Sequence, residues 1–292
     1  MVENNKNIVI LGPTAIGKSS LALELALEFN AEIISADSKQ IYKDFDIGSG
    51  KVSKSDLEKI PHYIIDIKEI WENFSVQEFQ NLAYEYIEDI KVREKNVFIV
   101  GGTGLYIDSL VKNYNISNIK PDYKLRNELQ KKSVKELQDI INIKNPNHNL
   151  NHSDFHNKVR LIRFIEKISN TSLLSSDTLK KRNPYNFLQI GLYTDLDILE
   201  KRIKKRVLER LENGAIEEVK QIKEILSQKL DSTSALSKLY SFGLGTIVIN
   251  EYLENQINYQ DMIDKFVLKE FQYAKRQLKW FKRDKSIIWV EI

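Results

Sequence analysis

The feature that most constrains the fold is a glycine-bounded loop close to the start of the chain. The apolar run Ile8-Val9-Ile10-Leu11 is followed directly by Gly12-Pro13-Thr14-Ala15-Ile16-Gly17-Lys18-Ser19. After this loop, apolar residues recur at helical spacing as far as Phe29. A strand, a loop of the pattern G-x-x-x-x-G-K-[ST] and a helix form the usual context of a P-loop. The sequence therefore predicts an anion-binding turn between a buried strand and a helix.

The residues of this loop suit phosphate groups. Backbone N–H groups of such a turn point inward at an anion, next to the positive end of the following helix. Lys18 adds a charge for terminal phosphates, and the Ser19 hydroxyl can ligate Mg²⁺. We therefore predict a phosphate-binding loop with Ser19 as a magnesium ligand. Its members are Gly12, Pro13, Thr14, Ala15, Ile16, Gly17, Lys18 and Ser19.

Further apolar runs alternate with helical patterns. The expected strands are residues 8–11, 33–37, 97–100, 187–192 and 287–290, and a looser, charged region (residues 43–60) leads to Pro61–Asp66. The expected helices include residues 18–29, 75–94, 196–229 and 261–283, and Ser75 with Glu78 forms a capping box. This alternation predicts a parallel sheet that binds ligands at the carboxyl ends of its strands.

A stretch of different composition separates two parts of this core. Residues 122–182 are polar, rich in Asn and Lys, and helical wherever apolar residues are periodic. We therefore predict an α/β fold with two parts. The first is a P-loop parallel-sheet core formed by residues 1–117 and 185–292. The second is a mainly helical insertion domain, residues 118–184.

Composition narrows the function further. With no cysteine, the chain has no disulfide, thiolate nucleophile or Cys-ligated zinc. It has no apolar run of membrane-spanning length and no signal-peptide pattern at its start, so a cytoplasmic location is expected. The net charge of +3 is uneven: residues 1–100 carry 11 Lys and Arg against 17 Asp and Glu. The remainder is therefore basic, which favours a polyanionic partner, although solvated basic helices would look similar.

Two side chains at strand ends are candidates for chemistry. Asp37 follows the second strand, where an acid could bind a ribose, cap a helix or act as a base. Thr103 lies in the Gly101-Gly102-Thr103-Gly104 turn, which offers N–H groups and a hydroxyl to an anion, or is simply a turn. ATP hydrolases of this class usually carry an Asp after such a strand. Its absence favours a reaction in which the bound phosphates are a leaving group.

Basic residues form two helical clusters. Six lie between Lys201 and Arg210. The second cluster runs from Lys275 to Arg283 and interleaves with Tyr273, Trp280 and Phe281. Residues 275, 279 and 282 share a face suited to a phosphate backbone. For either cluster alone, a solvated basic face with the aromatic residues in the core is slightly favoured, but both together with a phosphate loop indicate a nucleic-acid substrate.

These motifs closely resemble the bacterial tRNA dimethylallyltransferases, also called tRNA isopentenyltransferases. The most specific matches are Asp37-Ser38-Lys39-Gln40-Ile41-Tyr42, Gly101-Gly102-Thr103-Gly104-Leu105-Tyr106 and Ala274-Lys275-Arg276-Gln277-Leu278-Lys279-Trp280. Other segments that follow the family pattern are Asp46–Lys51, Pro61–Asp66, Arg160–Arg163 and Arg202–Val207. The resemblance extends over nearly the whole chain.

The resemblance implies transfer of a dimethylallyl group from its diphosphate to the exocyclic amine of the adenosine just 3′ of the anticodon, tRNA position 37. Asp37 would take the proton of that amine as general base. Lys18, Thr103 and Arg206 would stabilise the leaving diphosphate. The implied tRNA-binding residues are Asp37, Ser38, Lys39, Gln40, Thr103, Arg126, Arg160, Arg163, Lys275, Arg276 and Lys279. The implied partners are the tRNA anticodon stem-loop, dimethylallyl diphosphate and Mg²⁺, with no membrane, and a monomer is expected.

Several positions depart from the family pattern. Ile16 stands where Ser is common, Lys279 where Thr is usual, and Ser241–Gly245 replaces an Ile-Gly-Tyr segment. Two other functions remain compatible with the motifs. One is a P-loop kinase acting on a nucleoside or another small molecule, and the other is a nucleotide-regulated RNA-binding protein.

Overall fold

A computed structural model describes residues 6–116, 122–169, 183 and 185–292. The chain divides into two compact units. The first, the core unit, consists of Met1–Tyr114 and Arg182–Ile292, and the second, the insertion unit, is Asn115–Lys181. The helical character expected for residues 170–182 lies outside the described residues.

The core unit contains a six-stranded sheet. Its strands are β1 (Asn7–Leu11), β2 (Ala31–Ser35), β3 (His62–Tyr63), β4 (Asn96–Gly101), β5 (Phe187–Tyr193) and β6 (Ile288–Glu291). They are arranged in the order β3-β2-β4-β1-β5-β6, and every neighbouring pair is parallel. The predicted α/β fold class is confirmed.

Helices connect and flank these strands. Their bounds are α1 (Lys18–Glu28), α2 (Lys54–Lys59), α3 (Val76–Val92), α4 (Gly104–Val111), α5 (Tyr123–Gln130), α6 (Val134–Lys144), α7 (His152–Phe155), α8 (Lys158–Ser169), α9 (Leu196–Glu212), α10 (Ala215–Lys229), α11 (Ser232–Ser241), α12 (Leu244–Leu253) and α13 (Tyr259–Phe281). Among the described ranges, none of them is both long and apolar enough to cross a membrane.

The strand order places the phosphate loop in the middle of the sheet. Strand β1 pairs with β4 on one side and β5 on the other, and Val9, Ile10 and Leu11 are completely buried. A strand buried on both faces reads as a continuous apolar run, which is why it was recognisable in the sequence. Because all strands are parallel, the residues that follow β1, β2 and β4 lie at one edge of the sheet.

Helix α3 begins as its sequence predicts. The Glu78 N–H donates to Ser75 Oγ (3.2 Å), and the Ser75 N–H donates to Glu78 Oε2 (2.9 Å). This reciprocal pair is the predicted capping box. It satisfies two N–H groups that the first turn of a helix leaves without partners inside the helix.

One helix assignment is wrong. The pattern at 196–229 forms two helices, α9 and α10, separated at Asn213 and Gly214. Gly214 has a φ of +98°, a conformation that ends a right-handed helix and that favours glycine. The apolar spacing continues across the break, so periodicity alone did not detect it. Helices α11 and α12 were also missed.

The insertion unit has a small core of its own. It consists of Leu129, Leu137, Ile141, Leu161, Ile162 and Ile165. Beside this core lies Glu166, a fully buried carboxylate. Arg126 binds it through two hydrogen bonds (2.6 and 2.9 Å), and the Asp122 N–H donates a third (3.0 Å). Because a buried charge is costly unless paired, this ion pair holds α5 against α8.

Candidate active site

The phosphate loop connects β1 to α1 as an anion-binding turn. Ala15 and Gly17 have positive φ values of 60° and 101°, whereas Ile16 between them does not. This alternation is typical of backbone nests, which turn N–H groups towards an anion. The Lys18 ammonium folds back over the loop and donates to the Pro13 carbonyl (2.7 Å). Burial, together with the Arg206 guanidinium, lowers the pKa of Lys18 to about 7 against the opposing effect of Asp37.

Asp37 and Thr103 are held together beside this loop. The Asp37 Oδ1 accepts from the Lys39 N–H (2.8 Å). Thr103 Oγ1 accepts from the Ser38 N–H (3.1 Å), and the Thr103 N–H donates to the Ala36 carbonyl (3.2 Å). The end of β2 and the turn after β4 are thereby joined by hydrogen bonds. In the described part of the chain, no hydrogen bond reaches Asp37 Oδ2, so this oxygen is available to accept a proton.

Gln277 of α13 joins the phosphate loop to the same turn. Its Oε1 accepts from the Thr14 N–H (2.9 Å), and its Nε2 donates to the Gly102 carbonyl (2.8 Å). A Cβ atom at position 102 would lie 2.3 Å from Gln277 Nε2, so this position requires glycine for the close approach. We predicted no role for Gln277. The signal that could have indicated a role is that Gln277 lies on the buried, apolar face of α13. A polar side chain at such a position generally has hydrogen-bond partners.

Thr14, Ser19, Asp37 and Gln277 open onto one cavity of about 430 Å³. Lys18 lines a smaller pocket together with Ser19 and Asp37, and Thr103 lines neither of the two. The polar side of the larger cavity includes Thr14, Ser19, Asp37, Arg206 and Arg276. Its apolar side consists of Phe45, Ala215, Val219, Phe242, Leu244, Ile249 and Phe266. A cavity with a basic end and an apolar wall suits a substrate that combines phosphate with a small hydrocarbon group.

Helix α9 brings arginine to the phosphate loop. Arg206 Nη1 donates to Thr14 Oγ1 (3.0 Å), and Arg202 Nη1 donates to the Ile16 carbonyl (3.4 Å). Arg206 therefore lies where the sequence-based hypothesis requires it, next to any phosphate bound in the loop. The planar guanidinium can bind two phosphate oxygens at once.

The predicted tRNA-binding residues of the core unit fall into two groups, except Thr103, which lines neither surface. Ser38, Lys39, Gln40 and Arg276 line the cavity together with Asp37. Lys275 and Lys279 instead line a separate groove of α13. Its other residues are Tyr193, Thr194, Asp195, Leu196, Leu278, Lys282 and Arg283. Lys275, Arg276 and Lys279 therefore do not all face one surface.

Loop contacts also position the cavity residues. Lys39 Nζ donates to the Ser241 carbonyl (2.5 Å), and Gln40 Nε2 donates to the Gly50 carbonyl (3.1 Å). These bonds connect the segment after β2 to the ends of α11 and of the Asp46–Gly50 turn. The Ser241–Gly245 segment, where the chain departs from the family pattern, thus forms part of the cavity wall.

The predicted tRNA-binding arginines of the insertion unit are engaged in ion pairs there. Arg126 and Arg163 both pair with Glu166, and Arg160 pairs with Asp154. Arg160 is more than half exposed, whereas Arg126 and Arg163 are partly buried. Arg160 therefore has the most accessible charge of the three.

Comparison with known proteins identifies close relatives. A family model described as IPP transferase matches residues 40–284. A curated relative from Finegoldia magna, named tRNA dimethylallyltransferase, is 40% identical over 98% of this chain and 91% of its own length. A relative of the same name from Halothermothrix orenii is 38% identical over 99% of this chain and 88% of its own length.

Solved structures agree with these sequence matches. The structure of the tRNA isopentenylpyrophosphate transferase from Bacillus halodurans is similar with a TM-score of 0.70 and 33% identity, covering 98% of this chain and 90% of the other. A eukaryotic dimethylallyltransferase acting on tRNA gives a TM-score of 0.77 at 27% identity, covering 98% and 74%. The resemblance seen in the motifs is confirmed: the chain belongs to the IPP transferase family.

Proposed function

We propose that this chain transfers a dimethylallyl group from dimethylallyl diphosphate to the exocyclic amine of the adenosine at tRNA position 37, and releases diphosphate. One observation carries the proposal: a single cavity joins the phosphate loop and Arg206 to Asp37 and to an apolar wall. These are the parts that such a reaction needs. Membership of the IPP transferase family supports the same reaction.

The leaving group is bound at the basic end of the cavity. The bond between the allylic carbon and the diphosphate oxygen breaks while the amine nitrogen forms a bond to that carbon. Negative charge then grows on the diphosphate, where the loop N–H groups, Lys18 and Arg206 stabilise it. The apolar wall holds the dimethylallyl group and keeps water away from the reacting carbon.

The proton of the amine goes to Asp37. The bond from the Lys39 N–H to its Oδ1 fixes the carboxylate, while Oδ2 faces no hydrogen-bond donor in the described residues. The Thr103 hydroxyl, bonded to the Ser38 N–H, orients the same segment. Less free energy is needed to turn an adenine out of the anticodon loop than out of a duplex. The target adenine can therefore leave the loop and reach this carboxylate.

Magnesium is the proposed metal. The described residues contain no cluster of three or more His, Asp or Glu side chains that could hold a metal without help. The Ser19 hydroxyl lines the cavity, and a hard oxygen donor of this kind fits Mg²⁺ when phosphate oxygens complete the shell. When bound, the ion would supply positive charge to the diphosphate.

The tRNA would contact both units. We propose that Arg276 and Lys39 act at the cavity, and that Lys275, Lys279 and the insertion arginines position the anticodon stem-loop through its phosphates. We also expect a monomer. A tRNA substrate also supports a cytoplasmic location.

The test combines a product assay with one conservative variant. We expect prenylated adenosine to be detected by mass spectrometry after the protein is incubated with dimethylallyl diphosphate, Mg²⁺ and tRNA. No such product is expected when ATP replaces dimethylallyl diphosphate. Asp37→Asn should lower the single-turnover rate by about 10²- to 10⁴-fold, the usual value of a general base, with tRNA affinity nearly unchanged. Asp44→Asn, at an exposed acid, is the matched control. An Asp37→Asn variant of near wild-type rate would refute the general-base role.

A further inference from the structure

A second arginine lies in the cavity without an adequate partner. Arg210 follows Arg206 by four residues on α9, so the two side chains share a face of the helix. Arg210 is only 8% exposed and lines the cavity. Within the described part of the chain, its Nε has no hydrogen-bond partner. Its Nη1 lies 3.9 Å from Glu270 Oε2, which is too long for a hydrogen bond.

The two arginines converge at Gly50. A Cβ atom at this position would lie 2.1 Å from Arg206 Nη2 and 2.9 Å from Arg210 Nη2, so the two nitrogens are at most about 5 Å apart. Gly50 has a φ of +62°, which favours glycine, and any side chain there would displace these guanidinium groups. Because Arg206 already bonds to Thr14 of the phosphate loop, an anion bound in the loop lies within reach of both guanidinium groups.

Neighbouring acids do not neutralise this pair. The Glu218 carboxylate accepts from the N–H groups of Asp46, Ile47 and Gly48 at 2.6–2.7 Å, which occupies its oxygens. Burial and the adjacent Arg206 lower the pKa of Arg210 to about 10, and Glu270, Asp37 and Glu218 only partly oppose this. A buried and a half-buried cation at this separation repel each other, and buried charges are normally paired. The missing partner is therefore an anion that enters the cavity.

We propose that Arg210 is a second diphosphate-binding arginine, which binds a phosphate of the allylic diphosphate together with Arg206. This rests on the proposed function for the identity of the substrate. A small diphosphate can reach a side chain buried within the cavity. A phosphate of the tRNA backbone would have to bring the polymer to the same depth, so the structure favours the small substrate.

Binding of inorganic pyrophosphate with Mg²⁺ tests this without turnover. Calorimetry should give a dissociation constant on the order of 10- to 100-fold higher for Arg210→Met than for the wild type, the usual effect of losing a charged hydrogen bond. Arg206→Met serves as the positive comparison. Lys205→Met, at an exposed cation of the same helix, should change the constant less than about twofold.

Thermal unfolding separates binding from a structural role. Without ligand, Arg210→Met should melt at or above the wild-type temperature, because it removes a buried charge whose ion-pair partner, Glu270, is too distant for a hydrogen bond. Saturating pyrophosphate should raise the melting temperature of the wild type more than that of the variant. A variant that is less stable alone but has wild-type pyrophosphate affinity would overturn the proposal. Arg210→Gln, which removes the charge but keeps a polar group, decides the matter if Arg210→Met does not fold.

The outcomes also distinguish this proposal from the proposed function. Weaker pyrophosphate binding by Arg210→Met, together with no prenyl transfer by the wild type, would reject dimethylallyl transfer and retain the anion site. Prenyl transfer with pyrophosphate affinity unchanged by Arg210→Met would do the reverse. An effect on tRNA affinity alone would assign Arg210 to a nucleic-acid phosphate and overturn the proposal.

Discussion

At the scale of single residues, Lys238 is a lysine whose side chain is almost completely buried. It is 8% exposed, and its Nζ donates to the Glu72 carbonyl and to Tyr42 Oη (3.3 Å). The same ammonium lies 4.3 Å from the centre of the Tyr42 ring and 5.4 Å from that of Phe242. Phe242 belongs to the apolar wall of the cavity, so Lys238 supports that wall from behind.

This lysine should make stability depend on pH. Burial, with a smaller effect of Lys39 opposed by Glu72, lowers its pKa from 10.5 to about 8 in the folded protein. Between these values the unfolded chain binds more protons, so the free energy of unfolding rises with pH. Below pH 8 the folded state has the full cost of the charge, about 3 kcal/mol by the conversion of one pKa unit to 1.36 kcal/mol.

Denaturant unfolding of wild type and Lys238→Met across pH 7.5–10.5 measures this effect. Relative to the variant, the wild type should gain stability as pH rises through this window, with a total gain of at most about 3 kcal/mol. Lys220→Met, at a half-exposed lysine of α10, should give a curve parallel to the wild type. Parallel curves for Lys238→Met as well would show that Lys238 keeps its ordinary proton affinity.

At the scale of elements, helix α10 holds the Asp46–Gly50 turn, which lies next to the arginine pair of α9. Glu218 lies in the first turn of α10 and accepts three backbone hydrogen bonds from Asp46, Ile47 and Gly48. Gly50, at the end of that turn, contacts Arg206 and Arg210. The carboxylate therefore positions Arg206 indirectly, through the backbone of the turn.

Glu218→Gln should weaken both stability and turnover. An amide can replace only one of the two acceptor oxygens, so the Gly48 N–H loses its partner at a cost of about 1–3 kcal/mol. The turnover rate should fall about tenfold or more because Arg206 is no longer held against the turn. Glu217→Gln, at the exposed neighbouring position, should leave both quantities unchanged. Lost stability with an unchanged rate would show that the turn does not position Arg206.

The elements that sequence reasoning found are those whose chemistry is local. The phosphate loop, the capping box at Ser75 and the buried strands each depend on residues that are close together in the sequence. Gln277 and Arg210 were missed as parts of the site because their roles depend on where α13 and α9 pack. A buried amide bridging Thr14 and Gly102 is about 175 residues or more from both partners, so no local pattern encodes it. The helix break at Gly214 was local, but the continuing periodicity obscured it.

At the scale of the whole molecule, positive charge is divided between two functions. Arg206, Arg210 and Arg276 face the cavity, where the proposed reaction would place the small substrate and the target nucleotide. Lys275, Lys279, Lys282 and Arg283 face the separate groove of α13. Charge in the groove can attract a polyanion without altering the chemistry. The basic remainder of the chain noted in the sequence therefore has two distinct effects on the proposed reaction.

This division predicts two kinds of variant. The double variant Lys275→Ala/Lys279→Ala should weaken tRNA binding for all sequences and reduce the slope of log affinity against log salt by about 1–2, because each phosphate contact contributes a slope of roughly 0.7–0.9. Its turnover at saturating tRNA should match the wild type.

Arg276→Ala should instead lower the turnover rate itself, since its side chain lines the cavity. Filter binding over a salt series, with single-turnover prenylation of the same preparations, measures both. An unchanged salt slope in the double variant would show that the groove does not contact tRNA and that its lysines form an ordinary solvated face.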